Sequence, residues 1–438
     1  MITDKEILAA ERILAFALAH GASDAAVDLS KSESDIVGTL DGKIDKIARN
    51  TDTSVVLYLF VDGRYGSCWC NAADADEDFV LRSIETVRLL EPDPLRRLPR
   101  AGEQCKTAIT GLELGLYDPA RETMDIERKC AMALDVSITG KTPEGVKLLS
   151  EEGEYSDSVE DQLLMDSRGL RCRHTESSYE YFVSVTVEGP DGEKYEDSFW
   201  DADPHLKGLD AAQCGPEALR RAVAKFGSRE CRGGSYTMVV ERDCAYSLLE
   251  PLVSALYGGA VSQRSSFLRL GERICPEGVR FFDDCHLQGQ AGGCLFDNEG
   301  MPTSEEPLIE DGTVQKYLLS TYYAGKLGLE PTNSGLTRGH LMPFGPYGTK
   351  EEILKACGNG IFVTGFNGGN TNPVTGDFSF GVEGFLFRGG KIGRPIDGML
   401  VTGNMKELWR GLLYAGSDAL PHMSHLVPTL AFKDVRFN

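Results

Sequence analysis

DCAYSLLEPLVSALYGGAVSQRSSFL, residues 243–268, is the stretch on which the reading of this chain turns. Leu248, Leu249, Leu252, Val253 and Leu256 recur at the spacing of a helix with one buried face. Asp243 is placed to cap its start, because a side-chain oxygen there can accept from an orphaned backbone N–H. Gly258-Gly259 marks its end. Pro251 conflicts with an undisturbed helix: it removes an interior donor and is expected to kink the element or restart it. A polar turn and a strand follow. Periodicity alone gives a buried amphipathic helix and names no chemistry.

The chain around it has 438 residues, enough for two or three domains. Hydrophobic residues make up 41% and charged residues 26%, the balance of a globular chain in water. No apolar run reaches the length of a membrane span. The opening MITDKEILAAERIL carries early acids and no small-residue cleavage site, so it does not read as a secretion signal, and a cytoplasmic location is expected. Net charge is -22. Nucleic-acid surfaces work by basic residues displacing counterions, so this balance argues against one. Twelve cysteines are scattered singly with no CxxC pair, which points to reduced, mostly buried thiols. Cys68 and Cys70 read as alternate residues of one strand, facing the same side.

Thr3 and Glu6 form a capping box that opens a first helix, running to about residue 19. Strand-like runs follow at 25–29, 35–40, 54–60 and 64–71, with Asp41-Gly42 and Asp62-Gly63 as turns. A helix at 76–90 closes this unit. The order then repeats. Asp118-Pro119 opens a helix to about 134. Strands at 146–155, 158–166, 179–188 and 194–200 follow, and a helix at 214–226 closes the second unit. SDIVGTLDGKID (34–45) and EDQLLMDSRGLR (160–171) occupy like positions in the two units. Two unrelated lobes are the alternative to a duplication. After residue 227 the composition shifts to glycine-rich strands at 236–241, 280–283, 313–319, 360–367, 379–387, from 391, and at 429–435, with helices at 350–357 and 404–413. The fold class is therefore α+β: an N-terminal duplicated α+β lobe (1–227, with copies at 1–95 and 116–227), then a mostly β, barrel-like C-terminal domain (235–438).

Three stretches carry a family resemblance: 258–268, GCLFDNEGMPTSEEPLIEDGTVQKYLLSTYYAGKLGLEPTNSG at 293–335, and NPVTGDFSFGVEGFLFRGGKI at 372–392. They resemble the TldD/PmbA metallopeptidase family, whose members are often labelled modulators of DNA gyrase. The TldD branch of that family carries HExxxH in the helix at 243–256, with two histidines on zinc and the glutamate as general base. The six matching positions here run from Leu249 through Glu250 to Ser254, and both histidine places hold non-ligands. A late cysteine completes the metal site in that branch, and the comparable loop, 415–421, has none. The chain is thus similar to the other branch, PmbA or TldE, the partner subunit without its own zinc.

The resemblance implies no metal and no cofactor in this chain, with zinc in a TldD-like partner. It implies a heterodimer that cleaves unfolded peptides. A homodimer of the isolated chain is also open, and neither nucleic acid nor membrane is expected as a partner. Glu250 reads as a remnant base, an interface contact or an ordinary solvated glutamate; a base without an activated water has nothing to deprotonate. The glycine-rich segment 365–380 lets backbone approach a ligand, and exposed strand edges bind extended peptides through their main chain. Gly365, Asn367, Gly368, Gly369, Asn370, Asp377 and Phe378 are the candidate peptide-binding residues, and the resemblance places this segment near the substrate cleft. The alternatives are a stand-alone hydrolase with a relocated site, built on His340, Cys285-His286 or His422 with His425, and a non-enzymatic binding or scaffold protein. No histidine of the chain sits in HExxH or HExxxH.

Overall fold

A computed structural model describes residues 1–142 and 145–438. At the start, the Thr3 hydroxyl accepts from the Glu6 N–H, and the Glu6 carboxylate accepts from the Thr3 N–H at 2.6 Å. This satisfies two orphan donors and sets α1 (Asp4–Ala19). Three antiparallel strands follow: β1 (Asp24–Leu40), β2 (Lys43–Val61) and β3 (Arg64–Asn71). Asp41-Gly42 and Asp62-Gly63 join them with positive φ at all four residues, the conformation whose twist matches the flanking strands. Cys68 and Cys70 of β3 both pack against the core beneath the sheet. α2 (Glu77–Arg88) closes the unit.

The same order returns as α3 (Ile126–Asp135), β4 (Lys147–Asp166), β5 (Arg171–Glu188), β6 (Lys194–Asp203) and α4 (Ala211–Ala224). The strands form one sheet ordered β3-β2-β1-β4-β5-β6, with β1 and β4 antiparallel at its centre. Residues 34–45 and 160–171 each leave a central strand, turn, and enter the next strand.

Three expectations for this half change. The runs at 25–29 and 35–40 are one 17-residue strand, and those at 146–155 and 158–166 are one 20-residue strand. Their polar middles stay paired because the side chains find ionic partners. Lys31 meets Glu6, Glu33 meets the N-terminus, and Asp35 meets Arg49 and Lys129. Asp118 caps only a short 3-10 turn, Pro119–Thr123. Met124 is extended, with φ -90 and ψ 120, so α3 starts afresh from its own cap, Asp125.

The second half contains β7 (Gly234–Val240), α5 (Arg242–Leu256), α6 (Gly258–Ser262), β8 (Phe281–Asp283), β9 (Glu306–Glu310), β10 (Thr313–Val314) and α7 (Thr321–Leu327). It continues with β11 (Gly339–Leu341), α8 (Lys350–Cys357), β12 (Asn359–Thr371), β13 (Asp377–Arg388), β14 (Lys391–Asn404), α9 (Met405–Arg410), β15 (Leu412–Ala415) and β16 (Leu430–Phe437). Pairing of β16 with both β7 and β14 closes a five-stranded barrel, β7-β12-β13-β14-β16. Alternation along the strands splits its side chains. Met238, Val240, Ile361, Val363 and Phe432 pack with the apolar face of α5, whereas Val239, Phe362 and Ala431 pack with Ile353 and Leu354 of α8. Trp409 donates its indole N–H to the Leu248 carbonyl at 3.1 Å, tying α9 to α5. The strand expected at 313–319 shortens to two residues, and the helix expected at 404–413 stops at Arg410, where β15 begins two residues later to pair with β16. The chain is α+β, and its C-terminal part is a barrel packed on a helix.

Candidate functional site

α5 differs from expectation at both ends. Its N-cap is Glu241, without a side-chain cap bond. Asp243 sits in the first turn and accepts from Arg221 of α4 at 2.5 Å, so a tertiary partner takes the carboxylate that would otherwise cap. At the other end Tyr257 turns extended, with ψ 136, and Gly258 begins α6 rather than ending α5. A Cβ on Gly258 would collide with the Tyr323 ring. The helix continues through Pro251 to Leu256. Without an N–H on Pro251, the Ser247 carbonyl loses its helical donor.

Between the exposed face of α5 and the β12–β13 ribbon lies a groove of about 600 Å3. α5 lines it with Tyr246, Ser247, Glu250, Pro251 and Ser254, and the ribbon with Phe366, Gly368, Gly369, Asn370, Thr371 and Phe380. Ser254 donates to the Glu250 carboxylate at 3.1 Å. β12 pairs with β7 only at residues 361–363. Beyond that, it pairs only with β13, so the main chain of 365–371 keeps an open edge. Gly368 and Gly369 hold φ of 68° and 101°. A Cβ on Gly369 would run into the Ser379 carbonyl, so glycine is required for the bulge that shapes this wall.

The candidate residues therefore divide. Glu250, Ser254, Gly368, Gly369 and Asn370 meet in the groove. Leu249 is 1% exposed and packs in the core. Gly365 lies against the Glu383 side chain, and Asn367 pairs with Gly381 across the ribbon. Asp377 holds the β12–β13 turn: it accepts from Asn404 at 2.9 Å and Thr375 at 2.7 Å, and these bonds keep its carboxyl below the usual range. Phe378 is buried and stacks on Phe380 at 5.4 Å. Tyr246 was missed, and Phe366, Thr371 and Phe380 of the segment 365–380 were not named within it; the three aromatic residues read as core until the neighbouring element is known.

These side chains do not fit a zinc ion. Leu249 has no donor atom, Ser254 offers a hydroxyl already directed at Glu250, and the groove contains neither imidazole nor thiol. Among the described residues, no three His, Cys, Asp or Glu side chains are grouped to hold a metal.

Tyr246 also lines a second cleft of about 760 Å3, which opens toward α4 and β6. Burial pushes its phenol up to about 12. His425 stacks on Tyr246 with ring centroids 4.5 Å apart and accepts the Gly339 N–H at 3.2 Å; burial holds it below the usual imidazole range. His422 lies in a loop, 3.1 Å from Asp201. His340 stands apart, 3.4 Å from Asp284, and burial outweighs that carboxylate to lower it. His286 contacts the Thr303 hydroxyl at 2.9 Å. Cys285 is fully buried and its thiol is pushed up to about 12 by burial, the reverse of an activated nucleophile.

A closed barrel packed on a helix, behind a double three-stranded meander, is a known architecture. Residues 119–226 match the PmbA/TldA metallopeptidase central domain and residues 233–438 the PmbA/TldA metallopeptidase C-terminal domain. The chain is 26% identical over 419 residues to metalloprotease PmbA of Escherichia coli O157:H7, covering 92% of this chain and 90% of that protein. A Bacteroides thetaiotaomicron VPI-5482 crystal structure, of a protein named as a modulator of DNA gyrase, matches with a TM-score of 0.93 at 32% identity over 100% of both chains. TldE of Thermococcus kodakarensis shares the fold, with a TM-score of 0.82 at 18% identity over 98% of this chain and 99% of that one. The chain belongs to the PmbA/TldD metallopeptidase family. Among its described residues, no helix is long and apolar enough to cross a membrane.

Proposed function

We propose that this chain is the PmbA/TldE-like, non-catalytic subunit of a two-chain zinc metallopeptidase that cleaves unfolded peptides. The observation that carries this reading is the exposed face of α5. It keeps a groove and an open strand edge suited to an extended peptide, yet presents Glu250 and Ser254 without a zinc ligand set. A TldD-like partner would supply the metal, the general base and the activated water. This chain would wall the chamber and admit only segments able to lie extended along β12. In this reading residues 1–227 serve assembly and residues 235–438 face the peptide. The twelve free cysteines suit the reducing cytoplasm.

Metal analysis of the purified chain tests the division of labour. Zinc far below one ion per chain is the expected result. One tightly held zinc per chain would overturn it.

A further inference from the structure

The groove is chemically one-sided. Among the described residues, Glu250 is the one charged residue that lines it, with no Lys, Arg or His. The Glu250 carboxylate is exposed, and its one hydrogen bond comes from the Ser254 hydroxyl. One further polar group of the lining, the Thr371 hydroxyl, is buried without a hydrogen bond. On the ribbon with Thr371, across from Glu250 of α5, stand the rings of Phe366 and Phe380, centroids 5.7 Å apart and inclined at 61°. The faces of such rings carry partial negative charge and attract cations. An exposed carboxylate, two aromatic rings and an open strand edge, with no competing cation among the lining residues, favour the same guest.

We infer that this groove selects extended peptides carrying a cationic nitrogen, a lysine or arginine side chain or a free N-terminal ammonium, seated against Glu250. The inference deepens the peptide-subunit reading above and rests on it. The strand edge binds main chain without regard to sequence, and Glu250 adds the preference. The net charge of -22 draws the same peptides toward the molecule at low salt.

Fluorescence anisotropy with the full chain tests this. The probes are dye-labelled, N-acetylated, unstructured peptides with Lys, norleucine or Glu at one central position, plus the norleucine peptide with a free N-terminus. The Lys peptide or the free-amine peptide is expected to bind about three- to tenfold more tightly than the acetylated norleucine peptide, and the Glu peptide most weakly. Which of the two cations gains identifies the source. Glu250→Gln should erase the preference, Glu250→Lys should reverse it toward the Glu peptide, and high salt should shrink it. Equal binding of all peptides by the native chain, or a preference that survives Glu250→Gln, would overturn the inference and leave the strand-edge reading standing. Absence of binding by every peptide would remove both.

Discussion

Lys129 is 1% exposed, and its ammonium meets Asp35 at 2.5 Å and Asp157 at 2.9 Å. Arg121 adds a bond to Asp157 at 2.6 Å, and Arg49 one to Asp35 at 2.6 Å. A buried charge that loses its partner costs far more than the pair contributes. Lys129→Met should therefore destabilise the fold by about 3 kcal/mol, read as a lower denaturant midpoint. This network and a separate ion-pair cluster on α4, Glu217 with Arg220 and Arg221, set an acid limit. The hydrogen bond from Arg49, helped by Lys129, holds Asp35 well below the usual carboxylate range against the effect of burial. Burial works to raise Glu217, but Arg220 and Arg221 overcome it and hold it at about 2, against an ordinary 4.5. Because these groups bind protons less readily folded than unfolded, the stability they contribute is present above the ordinary carboxylate range and is lost as pH falls through it toward about 2. Urea midpoints measured down that range should fall, and Glu217→Gln should fall less steeply. None of this network was legible in the sequence. Lys31 and Glu33 broke the alternation of β1 and fell in a gap read between two strands, with Asp35 opening the second, since ionic partners up to 94 residues away supply what periodicity cannot show.

At the scale of elements, α5 was legible because five apolar residues repeat on one face, and that face is the one the barrel covers. Its cap was not, because Arg221 claims Asp243 from another helix. Pro251 was expected to kink the helix or restart it; α5 runs through it without a restart, and packing on the barrel holds it across the missing bond. Pro251→Ala restores a donor for the Ser247 carbonyl, so the denaturant midpoint should rise, by about 1–3 kcal/mol of stability. An unchanged or lower midpoint would mean that the packed ring outweighs the hydrogen bond. The glycine-rich segment was legible as a backbone wall, and Gly368, Gly369 and Asn370 form one. Gly365, Asn367, Asp377 and Phe378 were grouped with them by proximity in sequence, yet alternation and two bulges turn them to other tasks.

Over the whole molecule, hairpin turns and strand chemistry made an α+β chain with a barrel-like second half readable. Closure of the barrel was not, because it depends on β16, the last strand, reaching both β7 and β14. The groove shares this origin: α5 and the β12–β13 ribbon are more than a hundred residues apart and meet only because the barrel closes. In the proposed function this assembled surface guides peptides while a partner performs the chemistry. The most direct test is cleavage of an unstructured peptide by this chain alone, by a zinc-bearing TldD-like chain alone, and by the two mixed, each with and without a chelator. Efficient cleavage is expected only in the mixture, abolished by the chelator. Cleavage by this chain alone would contradict it and direct the search to the cleft that holds His422 and His425.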